Sequence, residues 1–282
     1  MIENEVVNKA VNYIMEHIGE NIQIEDIAND CHYSKFYLNR MFREETGESI
    51  HAFIKRVRME QSAFRLKAEK NKSITDIATD YGYSSSNYSS AFRQHHNMSP
   101  VDFRKSILEK SLSENPNWEK YNDLIEKAIM SYEECDKHIS IEEIGDMFVI
   151  YERTKGNYHD MEETWCAFCE KYKEYITPES ILLESTYDDP SITDVNGCMY
   201  DLCVTVDKSC TLANTRMMQG GRFVVFHFKG HIWELYPIHQ SLTGIWFPDS
   251  GYEIDSRYGF DIYRFIDKET MYMEIDICIP IK

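Results

Sequence analysis

Long apolar runs are missing from the sequence. No stretch approaches the roughly 18 consecutive apolar residues that a membrane-spanning helix needs. The first 18 residues alternate polar and apolar side chains at a helical period and lack the apolar core of a signal peptide. The chain is therefore expected to be cytoplasmic and to contact no membrane. Its 282 residues suggest two domains, and 43% hydrophobic residues are enough for two packed cores.

The cysteine patterns of a disulfide scaffold or a zinc site are also missing. The eight cysteines follow no small-scaffold spacing, which fits a reducing compartment. Cys166 and Cys169 form a CxxC pair, but they lie in a predicted helix, and no second ligand pair follows at a zinc-like spacing. Buried thiols are the favoured interpretation of this pair, with metal or redox chemistry as the alternative. No cofactor is expected.

The chain is short of basic residues, but the shortage is confined to its second part. The formal net charge is −18. Residues 1–110 hold 15 Lys or Arg and 16 Asp or Glu, whereas residues 111–282 hold 15 and 32. Within the first part, residues 35–67 carry eight basic and four acidic side chains. A local basic surface of this kind is compatible with nucleic-acid binding, and the acidity of the second part needs its own explanation.

What the sequence does contain is an internal repeat. Residues 24–55 align with residues 74–105 without a gap, and 12 of the 32 aligned positions are identical. Each copy predicts a short helix, a three-residue turn, and a longer helix that begins after Ser34 or Ser84. The serine hydroxyls can cap the first free amides of the longer helices. This is the pattern of a helix-turn-helix unit.

A predicted helix between the two copies sets their spacing. Residues 49–69 have helical periodicity and contain no Gly or Pro. Some 19 helical residues with a rise of about 1.5 Å each would span roughly 28 Å. That length approaches the ~34 Å between successive major-groove faces of a DNA duplex. The hypothesis is a monomeric reader that places two recognition helices on one side of double-stranded promoter DNA.

The two faces of each longer helix predict different roles. Leu38 and Phe42, like Tyr88 and Phe92, are spaced four apart and should pack inward. The opposite face of the first long helix is polar or basic apart from one ring. Arg and Asn on such a face suit bidentate contacts to guanine and adenine, although the face could also be simply solvated. The candidate DNA-binding residues on this face are Lys35, Phe36, Asn39, Arg40 and Arg43.

Residues 1–108 resemble the DNA-binding domain of AraC/XylS-type transcription regulators. The resemblance is carried by GYSSSNYSSAFRQHHNMSPVDFRK at 82–105 and by YSKFYLNRMFREETG at 33–47. It implies base contacts from Phe36, Asn39 and Arg40. Ser90 stands where relatives carry a base-reading Arg, so the first helix is expected to discriminate more. Asn97 replaces the usual Gly, and asparagine tolerates a left-handed backbone. The second-copy candidates are Ser85, Ser86, Asn87, Ser90 and Arg93.

From about residue 138 the hydrophobic period changes to two, which predicts an α+β domain. The region looks duplicated, because each half has a strand ending in Lys-Gly, then a helix, a loop and an alternating strand. The chain is therefore expected to be multi-domain, with an all-α double helix-turn-helix domain first. The α+β domain that follows should consist of duplicated strand-helix-strand units, with antiparallel sheets around a central cleft. The predicted domains are 1–110 and 138–282, joined by 111–137, with a linker at 111–116 and a connecting helix at 118–135. Strands are predicted at 139–144, 147–154, 199–206, 223–229, 252–254, 260–265 and 272–279, and helices at 159–172 and 233–246.

Carboxylates on these strands predict a site for an organic cation. Glu274 and Asp276 share one face of the last strand, and Asp201 is matched to Glu274 in the equivalent strand. Asp261 and Tyr263 also share a face of their strand. Carboxylates beside aromatic rings suit a cation through charge pairing and cation–π contact. The alternative is a solvated sheet face, which is what such alternation usually means.

Residues 138–282 resemble the GyrI-like effector-binding domain through runs at 220–230, 247–254, 260–263 and 273–282. Together the two resemblances indicate an AraC/XylS-family regulator in the Rob-like arrangement. They imply a site for cationic or amphipathic molecules at Asp261, Tyr263, Glu274 and Asp276, and Asp261 stands where relatives often carry Glu. Tyr158 and Trp233 stand where the chain departs from the Gly-Pro-Tyr of the family. The candidate ligand-binding residues are Asp201, Trp233, Asp261, Tyr263, Glu274 and Asp276.

The leading hypothesis is a transcription regulator of the multidrug or stress-response type. It would bind a promoter, sense a small cationic or amphipathic effector, and contact RNA polymerase. Two alternatives stay open: a GyrI-like small-molecule hydrolase with a cleft carboxylate as general base, and a binding module that sequesters drugs. No nucleophile–histidine–acid arrangement stands out, because the histidines of the second domain are scattered along the sequence. An enzyme is therefore not expected.

Overall fold

The computed structural model describes residues 1–109, 128–156, 161–194 and 196–282. They belong to two compact units, Met1–Leu66 with Lys70–Ser106, and Lys67–Glu69 with Ile107–Lys282. The predicted linker at 111–116, most of the predicted connecting helix at 118–135, and Tyr158 lie outside the described residues. Among the described residues, no helix combines the length and the apolar character needed to cross a membrane.

The first unit is helical, and its duplication is visible in the helix bounds. The helices are α1 (Glu5–Glu16), α2 (Ile24–Asp30), α3 (Lys35–Thr46), α4 (Ile50–Ala68), α5 (Ile74–Asp80), α6 (Ser85–His96) and α7 (Pro100–Glu109). The pair α2 and α3 recurs as α5 and α6 at the same spacing. The two predicted helix-turn-helix units and the long helix between them are confirmed.

Local chemistry explains where the two longer helices begin and end. The Ser34 hydroxyl accepts a hydrogen bond from the Tyr37 amide, and the Ser84 hydroxyl accepts one from the Asn87 amide. After α3 the chain turns at Gly47 with φ of 83°, and after α6 it turns at Asn97 with φ of 58°. Asn97 therefore adopts the left-handed backbone that the sequence predicted. The inward residues predicted for both helices are fully buried, namely Leu38, Phe42, Tyr88 and Phe92.

The second unit combines one sheet with a few helices. Its strands are β1 (Ile139–Ile144), β2 (Met147–Lys155), β3 (Leu182–Thr186), β4 (Met199–Thr205), β5 (Thr215–Met218), β6 (Gly221–His231), β7 (Phe260–Asp267) and β8 (Tyr272–Pro280). The helices are α8 (Tyr132–Asp136), α9 (Met161–Lys171), α10 (Ile232–Ser241) and α11 (Phe247–Ser250), with a π-helical segment Leu242–Trp246 between the last two.

The sheet is antiparallel throughout, and its strand order reflects the predicted duplication. The order is β1-β6-β8-β7-β3-β4-β2-β5. The first half of the unit supplies β1 to β4 and the second half supplies β5 to β8. The two halves meet where β3 pairs with β7, and each outermost strand pairs with a strand of the other half, β1 with β6 and β5 with β2.

Three strand predictions need correction. The sequence missed β3 and β5, which have only five and four residues and too few positions for alternation to be recognised. The predicted strand at 252–254 is reduced to one isolated bridge between Ile254 and Ile281.

The two faces of the sheet pack differently. On the face covered by α9, Phe168 of that helix and Tyr172, which follows its last residue, are buried with Leu202 and Val204 of β4. The opposite face carries its own buried cluster, which draws on β2 to β8. Among the members of that cluster are Val149, Leu183, Cys203, Phe223, Ile262 and Cys278. Neighbouring residues of one strand therefore lie in separate environments.

Candidate functional sites

The outward face of α3 presents an aromatic ring between basic side chains. Phe36 is 80% exposed, which is unusual for a phenylalanine. Arg40 and Arg43 are also exposed, and Arg40 lies 3.9 Å from Glu44. Lys35 forms an ion pair of 2.6 Å with Glu25. An exposed ring can contact a thymine methyl group, and arginine can contact guanine, so the face offers both kinds of base readout.

Asn39 has a structural role that the sequence did not predict. Its Oδ1 atom accepts a hydrogen bond of 3.1 Å from the Ile50 amide, the first residue of α4. A bidentate contact to adenine needs both the oxygen and the amide group of asparagine. With Oδ1 occupied in this way, the Nδ2 group is the part of Asn39 that remains as a donor.

The outward face of α6 is dominated by hydroxyl groups. Ser85, Ser86, Asn87, Ser90 and Arg93 are all exposed. The Ser90 hydroxyl donates to the backbone oxygen of Ser86 over 3.1 Å. Arg93 is the charged member of this set, whereas the α3 set has three charged members. The larger share of discrimination expected for α3 and the DNA contacts themselves stay predictions.

Asp201 lies in a closed buried cluster, not at a surface. The side chain is fully buried, and its two oxygens accept hydrogen bonds of 2.8 Å each from the guanidinium of Arg153. The hydroxyl of Tyr187 donates over 2.6 Å, and a nitrogen of Arg216 lies 3.0 Å away. Burial alone would raise the pKa of Asp201, but the charges of Arg153 and Arg216, with the hydrogen bonds from Arg153 and Tyr187, together outweigh it and lower that pKa.

A second group of polar side chains, the acid–tyrosine cluster, is defined by Asp261, Tyr263, Glu184, His239 and Trp165. Asp261 accepts from His239 over 2.9 Å and is the cross-strand neighbour of Glu184. The Tyr263 hydroxyl donates to Glu184 over 2.8 Å, and its ring packs 5.1 Å from the ring of Trp165. Burial, and then the charge of Asp261, raise the pKa of Glu184 to about 8.

The remaining carboxylates lie on the last strand among basic side chains. Asp276 accepts from a nitrogen of His227 and from Arg264, each over 2.7 Å. Glu274 lies 2.9 Å from the ammonium of Lys229. All five groups are exposed or partly exposed. These carboxylates are therefore balanced locally by cations of the same chain.

The predicted ligand residues do not line one cleft. Asp261 pairs with Ile277 across the sheet, and paired residues of antiparallel strands share a face. Asp276, next to Ile277, points to the other face. Trp233 is separate from both groups, and its ring stacks 4.4 Å from the ring of His231. The alternation of side chains along each strand correctly predicted which residues of that strand share a face. It could not predict the register in which neighbouring strands pair.

A groove of about 330 Å³ opens on the face opposite α9. The residues that line it include four acids, Glu142, Glu143, Asp146 and Asp276, and one base, Arg264. The rest of the lining includes the apolar side chains of Ile144, Met147, Ile181, Val225, Ile262 and Cys278. A pocket of this size with apolar walls and a few polar groups suits a small organic molecule. We call it the open-face groove.

Comparison with known protein families accounts for both units. A helix-turn-helix domain family matches residues 27–106, and the family of GyrI-like small molecule binding domains matches residues 137–282. The regulatory protein SoxS of Salmonella typhimurium is 33% identical over 108 residues, which cover 38% of this chain and 100% of SoxS. The chain belongs to the AraC family of transcription regulators, and its second part is a GyrI-like domain.

One further relative and one solved structure match separate parts of this AraC-family regulator. PqrA of Proteus vulgaris is 36% identical over 109 residues, which cover 38% of this chain and 88% of PqrA. The crystal structure of the EcmrR C-terminal domain is 14% identical with a TM-score of 0.43, and covers 51% of this chain and 96% of that one. The two family matches show that the AraC-family regulator combines a helix-turn-helix domain with a small-molecule binding domain.

The GyrI-like domain of this AraC-family regulator also contains a serine–histidine–acid arrangement that the sequence did not reveal. The Ser140 hydroxyl lies 2.9 Å from Nε2 of His227, whose Nδ1 lies 2.7 Å from Asp276. Ser140 also donates to Glu142 over 2.6 Å. Activation of a serine requires its proton to be donated to the histidine, and the shorter contact to a carboxylate competes for that proton. The three residues come from β1, β6 and β8, so no sequence motif brings them together.

Proposed function

We propose that this AraC-family regulator reads promoter DNA through α3 and α6, and that a small cationic or amphipathic effector binds in the open-face groove. The observation that carries the effector class is the lining of that groove, which includes four acidic residues and several apolar ones. The regulator acts in the cytoplasm, where promoter DNA is accessible. RNA polymerase is the partner whose recruitment the effector changes.

The charges around the groove favour a cation over an anion. Asp276 is partly neutralised by Arg264, whose Nε atom donates to it over 2.7 Å. Glu142 and Glu143 are exposed acids at the end of β1, and the nearby Asp146 accepts from the Gly220 amide. The net charge of the lining therefore stays negative. An organic cation would bury its apolar part on Ile262 and Val225 and keep its charge beside these acids.

Coupling between effector and promoter requires a difference in affinity. A ligand shifts an equilibrium between two arrangements of a regulator only if it binds one arrangement more tightly than the other. The proposal therefore includes two states of the full chain that differ in both groove affinity and DNA affinity. By thermodynamic linkage, operator DNA must change the affinity for the effector by the same factor.

Replacing Arg40 with alanine is expected to weaken binding to an operator duplex selected from random sequences. A bidentate contact between arginine and guanine contributes about 1–3 kcal/mol, so the dissociation constant should rise roughly 5- to 150-fold. Lys208→Ala, which removes an exposed cation of the GyrI-like unit, is the control and should bind like the unmodified protein. Fluorescence anisotropy of the full chain across a salt series measures the dissociation constants of both variants. Unchanged affinity of the Arg40→Ala protein would remove α3 from the proposed reading surface.

Glu142→Gln combined with Glu143→Gln is expected to weaken cation binding without abolishing it. At a solvent-exposed site each carboxylate contributes about 0.5–1 kcal/mol, so the loss should be roughly 5- to 30-fold. Isothermal titration calorimetry with benzyltrimethylammonium measures the effect, and neopentylbenzene, its uncharged isostere, shows how much depends on charge. The matched control is Glu162→Gln with Glu163→Gln, two exposed acids of α9. Equal binding of the cation and its isostere would refute a charge-based site.

A further inference from the structure

Helix α9 carries an exposed thiol beside a lysine ammonium. Cys166 is exposed, and Nζ of Lys268, in the turn between β7 and β8, lies 3.3 Å from its sulfur. All eight cysteines are within the described residues, and Cys166 is the only exposed one among them. The expectation of buried thiols for the CxxC pair is therefore wrong for Cys166. The sulfur of Cys166 is therefore open to solvent and in contact with a cation.

The buried thiols of the chain lie in surroundings that disfavour the thiolate. Burial raises the pKa of Cys31 and of Cys135 to about 11, and that of Cys203 to about 12. A thiol in such surroundings is both protonated and shielded from reagents. Cys166 thus differs from these cysteines in access and in its charged neighbour.

A second thiol lies one helical turn from Cys166. Cys169 is partly buried and three residues further along α9. Cα atoms at this spacing in an α-helix are about 5 Å apart, within the ~4.4–6.8 Å range of disulfides. Burial, and then the charge of Cys166, raise the pKa of Cys169. Among the described residues, no further His, Cys, Asp or Glu joins the pair to make a metal site.

We propose that Cys166 and Cys169 are a peroxide-reactive pair in which Cys166 is oxidised first and Cys169 then closes a disulfide, with Lys268 holding the Cys166 thiolate. The site is distinct from the open-face groove and from the reading helices. It goes beyond the proposed function, since it would make the GyrI-like domain responsive to an oxidant as well as to a bound effector.

The chemistry balances with a hydroperoxide as the only co-reactant. The Cys166 thiolate attacks one peroxide oxygen, so that an S–O bond forms and the O–O bond breaks. The other oxygen leaves and takes a proton, which gives water when the oxidant is hydrogen peroxide. The sulfur of Cys169 then attacks the sulfenic sulfur. An S–S bond forms, and the departing hydroxide combines with the Cys169 proton as water.

Disulfide closure would also move the turn of α9 that carries Trp165. Cβ atoms three residues apart on a helix are about 5–6 Å apart, whereas a disulfide holds them at ~3.5–4.5 Å. The turn must therefore contract. Trp165 is next to Cys166, and its ring packs 5.1 Å from that of Tyr263, which binds Glu184. Oxidation is thus expected to alter tryptophan fluorescence.

The test treats the reduced full-length protein with hydrogen peroxide and maps the products by peptide mass spectrometry. The unmodified protein should lose two hydrogens from the α9 peptide. In Cys169→Ser, dimedone should label Cys166, and in Cys166→Ser neither a disulfide nor a label on Cys169 should form. Circular dichroism checks that each variant is folded. Oxidation of Cys166 no faster than that of the partly buried Cys210 would overturn the proposal.

A second comparison isolates the role of Lys268. Lys268→Met should slow oxidation of Cys166 roughly 3- to 10-fold, because the thiolate loses its neighbouring cation. Lys173→Met is the matched control, since Lys173 follows the same helix, is 63% exposed, and pairs with Glu170 instead. Equal rates for Lys268→Met and the unmodified protein would overturn the assignment of Lys268, and slowing by both variants would point to overall charge.

Discussion

Replacing Asp201 with asparagine is expected to lower the free energy of unfolding of the GyrI-like unit by about 3–5 kcal/mol. The carboxylate is fully buried with Arg153, which is also fully buried, and with the guanidinium of Arg216. Asparagine is nearly the same size but carries no charge, so two guanidinium groups would lose their counter-ion inside the protein. The cost of an unpaired buried charge is far larger than that of a lost surface ion pair.

Tryptophan fluorescence during urea unfolding of the full chain measures this loss. Residues 1–110 contain no tryptophan, and Trp165, Trp233 and Trp246 lie in the second unit, so their signal reports that unit. Glu179→Gln makes the same acid-to-amide change at an exposed position and should leave the urea midpoint where it is. If Asp201→Asn unfolds at the unmodified midpoint, the buried cluster does not stabilise the sheet.

Glu184→Gln is expected to flatten the pH dependence of stability and to stabilise the second unit in alkaline solution. The pKa of Glu184 rises from 4.5 to about 8 in the folded protein. Between these values the folded state holds a proton that the unfolded chain has lost, so unfolding becomes easier as the pH rises. At about 1.4 kcal/mol per pKa unit, the loss is on the order of 5 kcal/mol. Glutamine at this position avoids this loss because it does not ionise, and its amide oxygen can still accept a hydrogen bond from Tyr263.

The variant and the unmodified protein should therefore have similar free energies of unfolding near pH 4.5, and these free energies should diverge toward pH 8.5. A smaller slope of the same sign should remain in the variant. Burial lowers the pKa of His239, but the charge and hydrogen bond of Asp261, with the charges of the other nearby carboxylates, together raise it. This stabilisation is lost as that histidine deprotonates. Urea midpoints at several pH values give both curves, with the exposed Glu174→Gln as control. Parallel curves for Glu184→Gln and the unmodified protein would contradict a protonated Glu184.

The helical unit could be predicted from the sequence nearly in full. Its signals are local: Ser34 and Ser84 mark two helix starts, and Leu38 and Phe42 mark a buried face within one helix. The repeat then supplied the same pattern twice. What the sequence could not supply was the bond from Asn39 to the Ile50 amide, because it depends on the angle at which two helices meet.

The sheet could be predicted only in part. Alternation gave most strands and which residues of each strand share a face. Alternation did not predict β3, because Leu183, Glu184 and Ser185 are all buried there. It also did not predict the register in which the strands pair. Glu184 was therefore absent from the predicted site, and so was His239, which reaches Asp261 from α10. Buried polar groups of this kind are fixed by tertiary contacts, which periodicity does not record.

The exchange of outer strands between the two halves of the sheet has a consequence for biosynthesis. β1 leaves the ribosome long before its partner β6, and β2 must await β5 on its outer side. Such non-local pairing raises the contact order and slows folding. A nascent chain halted between the halves would expose unpaired strand edges, which invite aggregation. The GyrI-like unit should therefore fold as a single cooperative step after its second half has emerged, and the duplicated halves are not separable modules.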